Sequence, residues 1–334
     1  MTKHPHDRSF KILLYLVVAV AILVYTNKEH LFWDEEERAI IEVMPRDSGI
    51  PAIYEVDYVL KDEYYLDNSS LIIGVFQNDI AKAYPIMILD RHEIINDVIG
   101  NTSIAVTYCP LTDSPLVYST DEYSEFGVSG NLFKNNLVMY DRETDSMWSQ
   151  LYLRSIKGEL KNQRLDFFSS TYIDWGTWRT LYPETKLVAL PQHFTVDEYF
   201  TESYLEYRAS NSAGLFPLDH QNFTLESKER VLGIKIGNFT KAYRYSVLES
   251  EKILNDEING QRIVITYFQG SAQAFHADSL TFSHKSGIIM IDEEDGEWNM
   301  LTGENTVKGK LSPVVSISVY WFAWYDFYPE TKVK

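Results

Sequence analysis

Residues 72–108 and 231–267 align without a gap at an offset of 159, and twelve of the 37 aligned positions are identical. Ordinary composition would give about two or three by chance. The identities include Gly74 with Gly233, Lys82-Ala83-Tyr84 with Lys241-Ala242-Tyr243, Asn96-Asp97 with Asn255-Asp256, and Thr107-Tyr108 with Thr266-Tyr267. The match continues with small gaps. Asp141 and Trp148 meet Asp292 and Trp298, and Lys157-Gly158 meets Lys308-Gly309. Trp175 and Trp178 meet Trp321 and Trp324, and Tyr-Pro-Glu-Thr-Lys then follows in both places, at 182–186 and 328–332. A period this long excludes a solenoid of short repeats. It predicts an internal duplication, with a first half over 45–190, a connector over 191–228 and a second half over 229–334.

Within a half the pattern is strand-rich. Leu71–Phe76 and Ile80–Tyr84 flank Gln77-Asn78-Asp79 and read as a hairpin. The stretch from Pro85 to Asp97 reads as a short helix opened by proline, with Asn96 and Asp97 placed to end it. Gly100-Asn101 breaks the pattern, and β-branched Ser103–Cys109 reads as a strand, as do Leu116–Ser119 and Leu137–Tyr140. Asp174 is placed to cap a helix running to Leu181. The expected class is α+β, dominated by antiparallel sheet.

The chain also carries an N-terminal apolar run, Ile12–Tyr25, behind Lys3, Arg8 and Lys11. Basic residues before such a run keep that side in the cytoplasm, which puts the remainder outside. The tail 1–11 is therefore expected to be cytoplasmic, 12–26 a single-pass transmembrane anchor in the lipid bilayer, and 27–44 a charged stalk. No small-x-small cleavage site follows the run, which favours an uncleaved anchor over the alternatives, a cleaved signal peptide with an apolar stretch of similar length or a buried soluble helix. The net charge of −18 argues against nucleic acid as a partner, because a polyanion is held by clustered Lys and Arg. A single cysteine excludes an internal disulfide and any multi-cysteine metal centre.

The duplication also separates folding residues from others. Positions shared by both halves, such as Gly74, Asp141 and the paired tryptophans, belong to the fold. His92, Glu93, Cys109, Pro110 and Arg142 have no counterpart in kind; the second half has Glu251, Lys252, Phe268, Gln269 and Glu293 there. One half thus holds an imidazole, a carboxylate, a thiol and a guanidinium that the other lacks. A cysteine becomes a nucleophile when a base or cation lowers its pKa, and His92, oriented by Glu93 or Asp113, is the candidate base. Arg142 is expected to face the same pocket and hold Asp113 or a substrate anion. A second reading makes His92 and Cys109 ligands of copper or zinc. A third makes Cys109 a small buried hydrophobe and His92 a satisfied interface histidine. No Gly-rich phosphate loop, Gly-x-Ser-x-Gly elbow or His-Glu-x-x-His motif occurs, and the sequence leaves any cofactor unknown.

His92-Glu93-Ile94-Ile95-Asn96-Asp97, Thr107-Tyr108-Cys109-Pro110-Leu111, Phe126–Gly130 and Tyr140–Gln150 together resemble the prokaryotic domain-of-unknown-function family 3179. Pro45–Ala52 and the terminal Phe327-Tyr328-Pro329-Glu330-Thr331 extend the resemblance over about residues 45–334. Many such members carry an export or anchor segment. The resemblance brings no activity with it, and whether the chain is an enzyme stays open. Where many members have a second cysteine followed by glycine, this chain has Thr112 and Asp113. Dithiol chemistry is therefore closed to it. Three function classes remain: a binding or scaffolding module for a protein, glycan or small molecule; a thiol-dependent enzyme at Cys109; and a metal-binding protein.

Overall fold

A computed structural model describes residues 35–47, 49–59, 65–123, 125–191 and 204–334. The expected anchor over 12–26 lies outside these residues. Among the described residues no helix is long and apolar enough to cross a membrane. The chain divides into a unit ending at Ile40, whose described part includes a one-turn helix at Glu35–Arg38, and a compact unit over Ile41–Lys334. Both stretches of the sequence match fall within the second unit.

That unit is strand-rich, with few and short helices. Leu71–Gln77 pairs antiparallel with Ile80–Pro85 across Asn78-Asp79, both at positive φ, as a tight hairpin turn requires. Thr171–Asp174 joins one side of this hairpin antiparallel, and Lys186–Val188 joins the other in parallel. Ile94–Ile99, Thr102–Cys109 and Ser114–Ser119 form an antiparallel meander that Asp166–Phe168 extends. Phe126–Phe133, Asn136–Asp141, Met147–Ser149 and Arg154–Lys157 form another.

The helix after the first hairpin is shorter than the sequence pattern predicts. It spans Ile86–His92, and Ile94–Ile99 is a strand. The apolar residues at 86, 88 and 89 keep a helical face, but Ile94, Ile95, Val98 and Ile99 are β-branched and favour the pleated surface. Glu93 makes the break, at φ 54° and ψ −30°. Asn96 and Asp97 therefore do not end a helix. Asn96 instead brackets the backbone of Phe126, accepting from its N–H at 2.8 Å and donating to its carbonyl at 2.9 Å. Asp97 accepts from Tyr84 at 2.6 Å and Lys82 at 3.0 Å. The cap at Asp174 is as expected, with the carboxylate accepting from the Thr177 amide at 2.8 Å.

Arg230–Ile236, Phe239–Arg244, helix Tyr245–Glu251, Ile253–Ile258 and Gln261–Phe268 follow one another with the bounds of the first five elements from Leu71, each displaced by 159 residues. Matched side chains have matched partners. Asp256 accepts from Tyr243 and Lys241, both at 2.9 Å. Asn255 brackets Phe282 at 2.8 and 2.9 Å. The indole N–H of Trp148 donates to Asp141, and that of Trp298 to Asp292, each at 2.9 Å. Trp178 donates to Thr185 and Trp324 to Thr331, again at 2.9 Å. These buried indoles and carboxylates anchor the sheets, and satisfied buried polar groups of this kind fix one arrangement of a core.

Candidate functional site

The short helix delivers His92 and Glu93 to the edge of the strand that ends at Cys109. Glu93 closes the helix, its amide donating to the Leu89 carbonyl at 2.8 Å, and its own carbonyl receives the Tyr108 amide at 2.8 Å. This ties the helix end to the strand next to the thiol. Lys252 occupies the matching place at φ 62°, so the left-handed backbone belongs to the fold. The buried carboxyl belongs to this half alone.

Four segments line a half-open cavity of about 150 Å³ over this corner. Val43, Met44 and Ile50 come from the approach to the domain, Glu93 and Leu111 from the Cys109 region, Val128–Leu132 from the neighbouring sheet, and Tyr204, Tyr207 and Leu215 from the connector. The walls are mostly aliphatic. Gly130, at φ 74°, is required there, since a Cβ would lie 2.1 Å from the Met44 carbonyl oxygen. The connector is pinned down by its polar groups. Tyr207 donates to the Leu111 carbonyl at 2.8 Å and receives the Gly214 amide at 3.1 Å. Asn135 accepts from the Leu215 and Phe216 amides, both at 2.7 Å.

Glu93 is the acidic residue of this cavity. It is 7% exposed and lines the cavity wall. Burial, reinforced by Asp90, pushes its carboxyl from 4.5 up to about 8. It therefore carries a proton at neutral pH and can donate a hydrogen bond. Cys109 is fully buried beside it. Burial pushes the thiol up to about 11 and the nearby Glu93 acts in the same direction, while hydrogen bonds with Thr112 and the Leu111 and Leu137 backbones offset only part.

The other residues singled out in the sequence are placed as follows. His92 is buried, with Nδ1 2.7 Å from the Pro51 carbonyl oxygen, and burial lowers its pKa. Asp113 is buried and is held by Arg230, whose Nε donates to it at 2.8 Å, and by the hydroxyls of Tyr108 at 2.9 Å and Tyr172 at 3.0 Å. Arg142 is about half exposed and lies 3.7 Å from Glu125 and over the Tyr54 ring. The cation expected at Asp113 from Arg142 is thus Arg230, from the other half. Thr112 is fully buried, and its hydroxyl bonds Ser114 at 2.8 Å and Asn136 at 3.0 Å. Glu93 and Cys109 come together, and His92, Asp113 and Arg142 each have other partners. Among the described residues no group of three His, Cys, Asp or Glu could hold a metal ion.

The sequence reading did not find Tyr204, Tyr207 or Arg230. The two tyrosines are three apart, which places both on one helical face, and that spacing is the signal that points to them. Arg230 had none, since nothing local distinguishes it from a solvated arginine.

Residues 47–331 match the model of the family described as Protein of unknown function (DUF3179), and the chain belongs to that family. No curated protein and no solved structure matches the chain.

Proposed function

We propose, for a member of this family, that the chain is a ligand-binding module whose site is the cavity roofed by Tyr204 and Tyr207, with Glu93 as its polar contact. The observation that carries this is the placement of the buried Glu93 carboxyl in the wall of a mostly aliphatic cavity. A concave, mostly apolar cavity with a few convergent polar groups and a perturbed pKa is the usual form of a small-molecule site. The reading also takes the domain to be anchored by residues 12–26 and displayed outside the cytoplasmic membrane, which the basic residues ahead of the apolar run support. It takes the two halves as products of a duplication, supported by the repeated element bounds and the repeated pairs Trp148–Asp141 and Trp298–Asp292. One copy kept the fold, and the other gained the cavity where the connector crosses it.

A thiol-dependent enzyme has less support. A catalytic cysteine needs a depressed pKa and access, and Cys109 is buried, pushed up to about 11 and next to a carboxyl in place of a cation. A copper or zinc site at His92 and Cys109 has no third donor among the described residues, and the His92 Nδ1 already faces the Pro51 carbonyl.

The binding reading is tested by photolabelling the full-length chain in lipid nanodiscs with an alkyl diazirine. Label in peptides carrying 43–50, 128–132 and 204–215, reduced by excess unlabelled alkane and lost in Leu132→Trp, supports it. Label confined to residues 12–26 overturns it.

A further inference from the structure

Resting on that reading, we infer that the ligand is an uncharged single-chain amphiphile, an alkyl or prenyl alcohol, ester or amide, whose polar end accepts a hydrogen bond from Glu93. The walls decide the first half of this. Val43, Met44, Ile50, Leu111, Val128 and Leu132 offer aliphatic surface and no charge. At the mouth, Val43 and Leu215 remain 41% and 56% exposed, so an apolar chain entering there also covers surface that water now meets.

The polar end is decided by what surrounds the carboxyl. The groups acting on Glu93 and its neighbours are Asp90, Cys109, Tyr204 and Arg208, with His92 adjacent in the chain. A ligand anion would sit against Glu93 and Asp90. Arg208 is already paired with Asp90, and Lys228 is engaged by the carbonyls of Tyr207 and Ser210. A ligand ammonium fares no better. The aromatic faces that would receive it already hold protein cations: the Lys228 amine lies 3.6 Å from the Tyr207 ring centre and the Arg208 guanidinium 5.9 Å from that of Tyr204. A neutral acceptor avoids both conflicts and can take the hydrogen bond that the protonated carboxyl offers. Tyr204 lines the same cavity as Glu93 and offers a second hydroxyl there, whereas the Tyr207 hydroxyl is occupied.

The test is competition against the same photolabel in the full-length chain, with dodecane, methyl dodecanoate, dodecylammonium and dodecanoate as competitors at pH 6.5 and 9.5. The ester accepts hydrogen bonds and cannot donate them. At pH 6.5 methyl dodecanoate is expected to compete about tenfold better than any of the other three. At pH 9.5 that advantage falls away, because ionised Glu93 can no longer donate. Glu93→Gln, whose amide still donates, keeps the advantage at both pH values, and Glu93→Leu loses it while still binding dodecane. A charged competitor that matches methyl dodecanoate, or an ester advantage that survives in Glu93→Leu, overturns the inference and leaves the binding reading standing. Failure of all four to protect the pocket peptides overturns both.

Discussion

Arg230 donates to one carboxylate oxygen of Asp113 through two guanidinium nitrogens, joining the start of the second half to the loop beyond Cys109 in the first. Asp113 is 2% exposed and lies at φ 50°, so neither the carboxylate nor its backbone is free to move toward water. Arg230→Met is expected to lower stability by about 3 kcal/mol, because it strands a buried charge that two tyrosine hydroxyls only partly satisfy. The double variant Arg230→Met/Asp113→Asn should recover a good part of that loss. Chemical denaturation of the three proteins checks it; equal losses in the single and double variants would show that the pair does not hold the halves together.

A second prediction concerns the repeated packing of glycine on tryptophan. A Cβ on Gly74 would lie 2.5 Å from the Trp178 ring, and one on Gly233 would lie 2.2 Å from that of Trp324. Gly74→Ala and Gly233→Ala should each cost roughly 1–3 kcal/mol, since a buried indole has nowhere to go. Similar losses in thermal melts are the outcome a duplicated core predicts. A neutral effect at one site and a large one at the other would separate the two packings.

The thiol gives a third. A neutral, buried Cys109 should react with iodoacetamide at pH 8 at least about a hundredfold more slowly in the folded chain than in denaturant. Mass spectrometry of timed samples measures this. Rapid alkylation of the native protein would return Cys109 to consideration as a nucleophile.

Glu93 gives a fourth, through its effect on stability. The folded carboxyl titrates near 8, against 4.5 for the free group, so between these values the folded state keeps a proton that the unfolded state has released. Stability should therefore fall as pH rises across that window, by up to about 1.4 kcal/mol per pH unit from this group, and level off above it. Glu93→Gln removes the dependence. The stability difference between Glu93→Gln and the native chain should accordingly grow from pH 4.5 to 8 and then stay constant; a difference that is flat across the window contradicts a protonated Glu93.

Much of the architecture was legible from local pattern. The Ile80 hairpin, the Asp174 cap and the strands around Cys109 follow from it, and five consecutive elements from Arg230 have the same bounds 159 residues on. The helix overran in the reading because Ile94 and Ile95 continue an apolar run, and only their branching marks the strand. The site was legible in part. The lack of a counterpart in the second half drew attention to Glu93 and Cys109. It also promoted Arg142, which is merely a surface arginine near Glu125. The cavity walls were not legible. Val43, Met44 and Leu215 lie far from Glu93 in sequence, in segments without periodicity, and long-range loop packing leaves no local pattern.

Glu93 in the cavity wall is the centre of the account, and a carbon-13 NMR titration of that carboxyl in the full-length chain, with and without methyl dodecanoate, measures its proton directly. The account predicts a midpoint near 8 that moves higher when methyl dodecanoate is present, because the bound acceptor favours the protonated form. A midpoint near 4.5, unmoved by methyl dodecanoate, would contradict it.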